Sequence, residues 1–166
     1  MIPALPARFL SVALLLGAPP AALAQGTDLE EREVLVVAEA ALAAVTAEDV
    51  IALTDLMVDE AIIFTVSGPD NDLRFSIRTR AEQRRRGFSG DIIERGFDPR
   101  VRVASGLATV WLPYDLYLNG SWSHCGVDVF SLLRVDAEWK ILTMGWTVEQ
   151  PPACERHPDG PPAAGP

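Results

Sequence analysis

The chain has 166 residues and a formal charge of −9, enough length for one domain with its own hydrophobic core. Acidity on that scale speaks against nucleic acid and anionic membrane as partners, since both reward clustered positive charge. Of the 14 basic residues only Lys140 is lysine, and with abundant alanine, glycine and proline this reads as genomic base composition rather than function.

The first 24 residues hold one charge, Arg8, an apolar run at 9–16, and a small-x-small signal at Ala22, Leu23 and Ala24. Pro19 and Pro20 stop that run well short of the roughly 20 apolar residues a membrane-spanning helix needs. The pattern predicts a signal peptide over 1–24, cut between Ala24 and Gln25, and a periplasmic or secreted protein with no membrane partner after cleavage. Losing that segment with its single arginine takes the charge from −9 to −10.

Beyond the cut, Asp28 with Glu31 three residues on reads as a variant capping box, opening a helix whose inner face carries Leu35, Ala38, Leu42 and Val45. Thr46 to Asp49 starts a second, shorter helix with Val50, Leu53 and Met57 inward, and the β-branched run 61–66 reads as a strand. Residues 67–72 are a loop. Thr79 and Glu82 open a third helix that ends in three arginines and Gly87, a sequence that suits the helix dipole and a C-cap. Residues 98–103 form a strand with arginine outside and valine inside. After the turn at Ser105 and Gly106 come three long antiparallel strands over 109–118, 122–134 and 139–148, joined by turns at Asn119–Gly120 and 135–138. The last 16 residues, 151–166, include six prolines and no apolar periodicity, and read as a disordered tail. One domain over 25–150 follows.

Helices first, then a closing strand meander, make an α+β fold: a cone-shaped curved sheet packed on about three helices, with a cavity between the layers. Gly126 within a strand would permit a bend there. Cys125 and Cys154, an even pair in an exported chain, read either as a disulfide or as a buried free thiol plus a reactive tail thiol.

Paired N-terminal helices, the acidic step Val58, Asp59, Glu60, Ala61 into a strand, an arginine-rich third helix, the block 106–111 (GLATVW) and the ending 138–141 (EWKI) carry a resemblance. They resemble the nuclear transport factor 2-like superfamily, which includes SnoaL-like cyclases, ketosteroid isomerase and scytalone dehydratase. The run 123–130 (SHCGVDVF) is similar to small bacterial members labelled lumazine-binding-like. The resemblance implies the cone fold and a homodimer, but transfers no catalytic set, because such folds host isomerases, dehydratases, cyclases and binding proteins alike. A two-histidine site is not supported, since His157 lies in the tail.

Strand alternation puts His124, Gly126, Asp128, Phe130 and Leu132 on one face, expected to line the cavity, and Cys125, Val127, Val129 and Ser131 on the other. Asp128 would be a general base in an apolar pocket, with His124 or Tyr114 donating to a developing oxyanion. Equally, Asp128 bonds a neighbouring side chain and His124 caps the strand. Phe64, Trp111, Asp115, Phe130 and Trp146 are candidate ligand contacts, or core and interface residues. Trp111 and Asp115 share one parity and Tyr114 the other, so not all can face inward. The six arginines between 74 and 86 read either as a guide for an anionic ligand or as a solvated face paired with nearby acids. No metal-ligand spacing, nucleophile elbow or phosphate loop is present in the sequence, and no cofactor is expected.

The reading is an exported protein that binds a small apolar or aromatic molecule. The alternatives are a cofactor-free lyase or isomerase with an aspartate base, and a structural interaction module. A homodimer is expected through the outer sheet face, where Cys125, Val127, Val129 and Leu133 form an apolar row.

Overall fold

The computed structural model describes residues 21–69 and 71–163. Among them run α1 (Ala21–Thr46), α2 (Val50–Asp55), β1 (Met57–Ser67), β2 (Arg74–Thr79), α3 (Arg80–Arg86), β3 (Ile92–Gly96), β4 (Arg100–Ala104), β5 (Leu107–Leu118), β6 (Ser121–Val135) and β7 (Glu138–Val148). One sheet is ordered β2-β1-β7-β6-β5-β3, with β4 also paired to β5. Every pairing is antiparallel except β1 with β7. No helix of the described residues is long and apolar enough to cross a membrane.

The α+β class and the three long strands match expectation. Two strands, β2 and β3, were not anticipated, and they form the two edges of the sheet path. The expected signal segment falls largely outside the described residues. Its predicted cut lies inside α1, and because that helix starts at Ala21, Asp28 is interior to it rather than its cap. The α2 cap is Asp49, whose side chain accepts the Ala52 N–H at 2.9 Å. Thr79 and Glu82 do form a reciprocal capping box on α3.

The core lies between α1 and the concave face of the sheet. Val34, Ala38, Ala41, Leu42 and Val45 of α1 meet Ile63, Val110, Phe130, Leu132, Ile141 and Met144, all buried. Each large side chain fully removed from water there contributes about 1.5–3 kcal/mol. Register shifts in the β1/β7, β5/β6 and β6/β7 pairings bend the sheet around α1.

One irregularity involves Gly126. The Val127 N–H bonds to the Thr147 hydroxyl at 3.0 Å, and the Thr147 carbonyl accepts the Tyr114 hydroxyl at 2.7 Å. That carbonyl lies where a Cβ on residue 126 would be, so only glycine fits.

The tail expected to be disordered is anchored at Cys154, Arg156 and His157. Cys125 and Cys154 form a disulfide with a Cα–Cα distance of 5.8 Å, so neither is a free thiol. Beyond it, the His157 N–H donates to Asp115 at 3.2 Å, His157 meets Phe97 edge-on, and Arg156 lies 4.0 Å over the Trp122 ring. Composition alone suggested disorder because proline removes periodicity. The tail is held by cross-links, not by an apolar stripe.

Candidate functional site

Residues directly opposite in neighbouring strands share a face. The pairs Leu116↔His124, Leu112↔Asp128, Asp128↔Trp146, Phe130↔Met144, Ile63↔Met144 and Thr65↔Trp146 therefore define the concave side. Ile63↔Arg78 and Glu94↔Leu116 extend it to both edge strands. A hollow of about 410 Å³ opens over this face, roofed by Val45 of α1, Leu53 of α2, Gln83 and Arg86 of α3, and the following Phe88. Its sheet wall includes Ile63, Arg78, Glu94, Leu116, His124, Met144 and Trp146. That volume is in the range of small-molecule sites.

His124 and Trp146 are among the residues that line the hollow. Ser123 joins them despite its opposite parity, because the β5/β6 register shifts between Leu116 and Tyr117. The Ser123 hydroxyl lies 2.9 Å from His124 Nδ1, while Nε2 is buried without a partner among the described residues. Burial lowers the imidazole pKa, so the ring is held neutral.

Asp128 is on the concave side but fully enclosed, and it does not reach the surface of the hollow. Neither carboxyl oxygen has a hydrogen-bond partner among the described residues. Burial, then the charge of Glu94, raises its pKa well above the usual aspartate range. Tyr114 is equally enclosed, and its hydroxyl is engaged by the Thr147 carbonyl, so it is not a free oxyanion donor. Burial and the neighbouring Asp128, Glu94 and Glu149 charges push the phenol upward, keeping it protonated.

The remaining expected contacts lie elsewhere. Phe64 packs on the convex side over Gly145, whose missing side chain leaves room for the ring. Trp111 is also convex and 51% exposed. Asp115 is convex and buried in a bidentate pair with Arg95, at 3.0 and 2.7 Å. Phe130 faces inward but belongs to the packed core.

Sequence reasoning missed Glu94, the one acid among the described residues that line the hollow. It sits on β3, a strand too short and irregular to announce itself. Burial raises its carboxyl to a pKa of about 7. Across the hollow, Arg78 of β2 donates to the Gln83 amide oxygen and lies 5.1 Å from the Trp146 ring centroid. Burial and the nearby Arg86 depress its pKa. No cluster of three metal-ligating side chains occurs among the described residues.

No family model matches this chain, and no curated protein matches it either. Solved structures do match in fold. A nuclear transport factor 2-like protein of unknown function from Pseudomonas putida aligns with a TM-score of 0.61 at 12% identity, covering 82% of this chain and 99% of that one. A cystatin-like-fold protein of unknown function from Nostoc punctiforme gives 0.61 at 11%, over 75% and 96%. A candidate dehydratase of the nuclear transport factor 2-like family from Streptomyces avermitilis gives 0.55 at 17%, over 73% and 96%. The chain has the nuclear transport factor 2-like, cystatin-like α+β fold.

Proposed function

We propose that this chain is an exported small-molecule-binding protein that holds a largely apolar or aromatic ligand in the hollow between sheet and helices. The observation that carries the reading is the hollow itself, about 410 Å³, lined by apolar residues such as Leu53, Ile63, Phe88, Leu116, Met144 and Trp146 together with a comparable number of polar and charged ones. The Cys125–Cys154 bridge supports export, since disulfides persist in oxidising compartments. Native mass spectrometry of protein purified from its own source tests the binding. A non-covalent small-molecule adduct is expected, lost in Leu116→Trp, which fills the hollow. A protein that carries no adduct, and whose melting temperature no member of an apolar compound library raises, would contradict it.

A second reading, a cofactor-free lyase or isomerase, is favoured by Glu94. A lining carboxyl with a pKa of about 7 suits proton transfer at neutral pH better than the enclosed Asp128. In that reading Glu94 removes a proton beside a ligand carbonyl, and Asp128 acts through its proximity to Glu94. Turnover abolished by Glu94→Gln but retained in Asp128→Asn would mark it.

We also propose that a second copy docks on the convex face. Trp111 and Leu107 are exposed there, opposite Val129 and Leu133. A dimer by light scattering that Trp111→Glu dissociates is expected, whereas a monomeric wild-type protein would exclude it.

A further inference from the structure

We infer that the hollow takes an anion: a small carboxylic acid with a flat or rigid apolar body, its carboxylate between Arg78 and Arg86. The inference rests on the small-molecule reading above and specifies its ligand class.

Five of the six arginines between 74 and 86 fall into two groups. Arg74 pairs with Asp72, Arg80 with Asp55 and Asp59, and Arg84 with Asp55, all with exposed carboxylates. Arg78 and Arg86 instead line the hollow, and neither forms an ion pair with a described residue. Arg78 has only the neutral Gln83 amide oxygen as a side-chain acceptor. Two guanidinium groups facing one space repel each other, and Glu94 of the same lining forms an ion pair with neither. A carboxylate placed between them removes the repulsion and accepts charge-assisted hydrogen bonds in the fork geometry that arginine favours.

The rest of the hollow suits the body of such an acid. Ile63, Met144 and Phe88 supply apolar contact, and the Trp146 ring lies beside Arg78, so an aromatic body and its carboxylate meet adjacent partners. The acid of the lining, Glu94, is on β3, the opposite edge strand, so the ligand has one orientation: carboxylate toward β2 and α3, neutral end toward β3. The curvature of the sheet brings these two edges onto one hollow.

Isothermal titration with 2-naphthoate and its neutral counterpart 2-naphthamide tests the inference. About tenfold tighter binding of the naphthoate is expected, the size of one charge-assisted contact. Arg86→Gln, an exposed position whose change leaves the core intact, should remove most of that preference, and Arg78→Met the remainder. Leu116→Trp should abolish binding of both probes. Equal affinity for the two probes would overturn the anion and leave the small-molecule hollow standing. Naphthoate binding that survives Leu116→Trp would place the anion on the outer arginines and overturn the inference as well. Failure of both probes to bind would overturn the inference, while the adduct search on protein from its own source separately decides whether the hollow holds a ligand at all.

Discussion

Asp115 and Asp128 lie on neighbouring strands of the same sheet, both without exposed surface, on opposite faces. Asp115, on the convex side, has Arg95 across both oxygens and the His157 N–H besides. Asp128, on the concave side, has no partner among the described residues. Burying a carboxylate costs several kcal/mol unless it is paired, and an unpaired one takes up a proton instead. The convex face is therefore closed by charge pairing and a disulfide. The concave face stores acidity beside a hollow. The two aspartates make the division of the sheet into a structural side and a ligand side visible in chemical terms.

The largest expected effect breaks the closed side. Arg95→Ala leaves the buried Asp115 carboxyl without its ion-pair partner, and should cost about 3–5 kcal/mol in urea denaturation. A loss below about 1 kcal/mol would mean that Asp115 is not held by the pair. Next, Cys125→Ser with Cys154→Ser should cost about 2–4 kcal/mol and free the tail. Faster trypsin cleavage at Arg156 checks the second point, and an unchanged digestion rate would show the tail held without the bridge.

The open side should respond in the opposite direction. An acid whose folded pKa is raised keeps its proton while the unfolded chain has released its own. Stability is therefore full below the unfolded value and falls as pH rises toward the folded value. For Glu94 that window runs from 4.5 to about 7. Glu94→Gln should flatten the decline and raise stability at pH 8 by roughly 1–2 kcal/mol, less than the full shift because the residue is partly exposed. A melting temperature unchanged between pH 5 and 8 in the wild type would rule this out. The smallest effect is Tyr114→Phe, which removes the hydroxyl donor to Thr147 and should cost about 1 kcal/mol. Increased solvent exchange of the Val127 amide would locate it.

The closed and open faces were not equally legible in the sequence. Period-two alternation and glycine turns gave the long strands β5, β6 and β7 and grouped His124 with Asp128 on one face, while Trp146 stayed open between ligand contact and core. They could not show that a register shift brings Ser123 to the same side. The two edge strands escaped notice for physical reasons. The apolar residues of β2, Phe75 and Ile77, are solvent-exposed, so its alternation carries no burial signal, and β3 is five residues long. Those two strands bring Arg78 and Glu94, which give the hollow its charge. The partner of Asp115 could not be read either, since Arg95 lies 20 residues away on an unrecognised strand.

A carbon-detected NMR titration of the Asp128 carboxyl bears most directly on the contrast between the two faces. Its signal should still be moving at pH values where a reference aspartyl peptide has finished ionising, and Glu94→Gln should shift the curve toward lower pH by removing a neighbouring negative charge. A curve that coincides with the reference peptide would show the carboxylate solvated or paired. The concave side would then hold no stored acid.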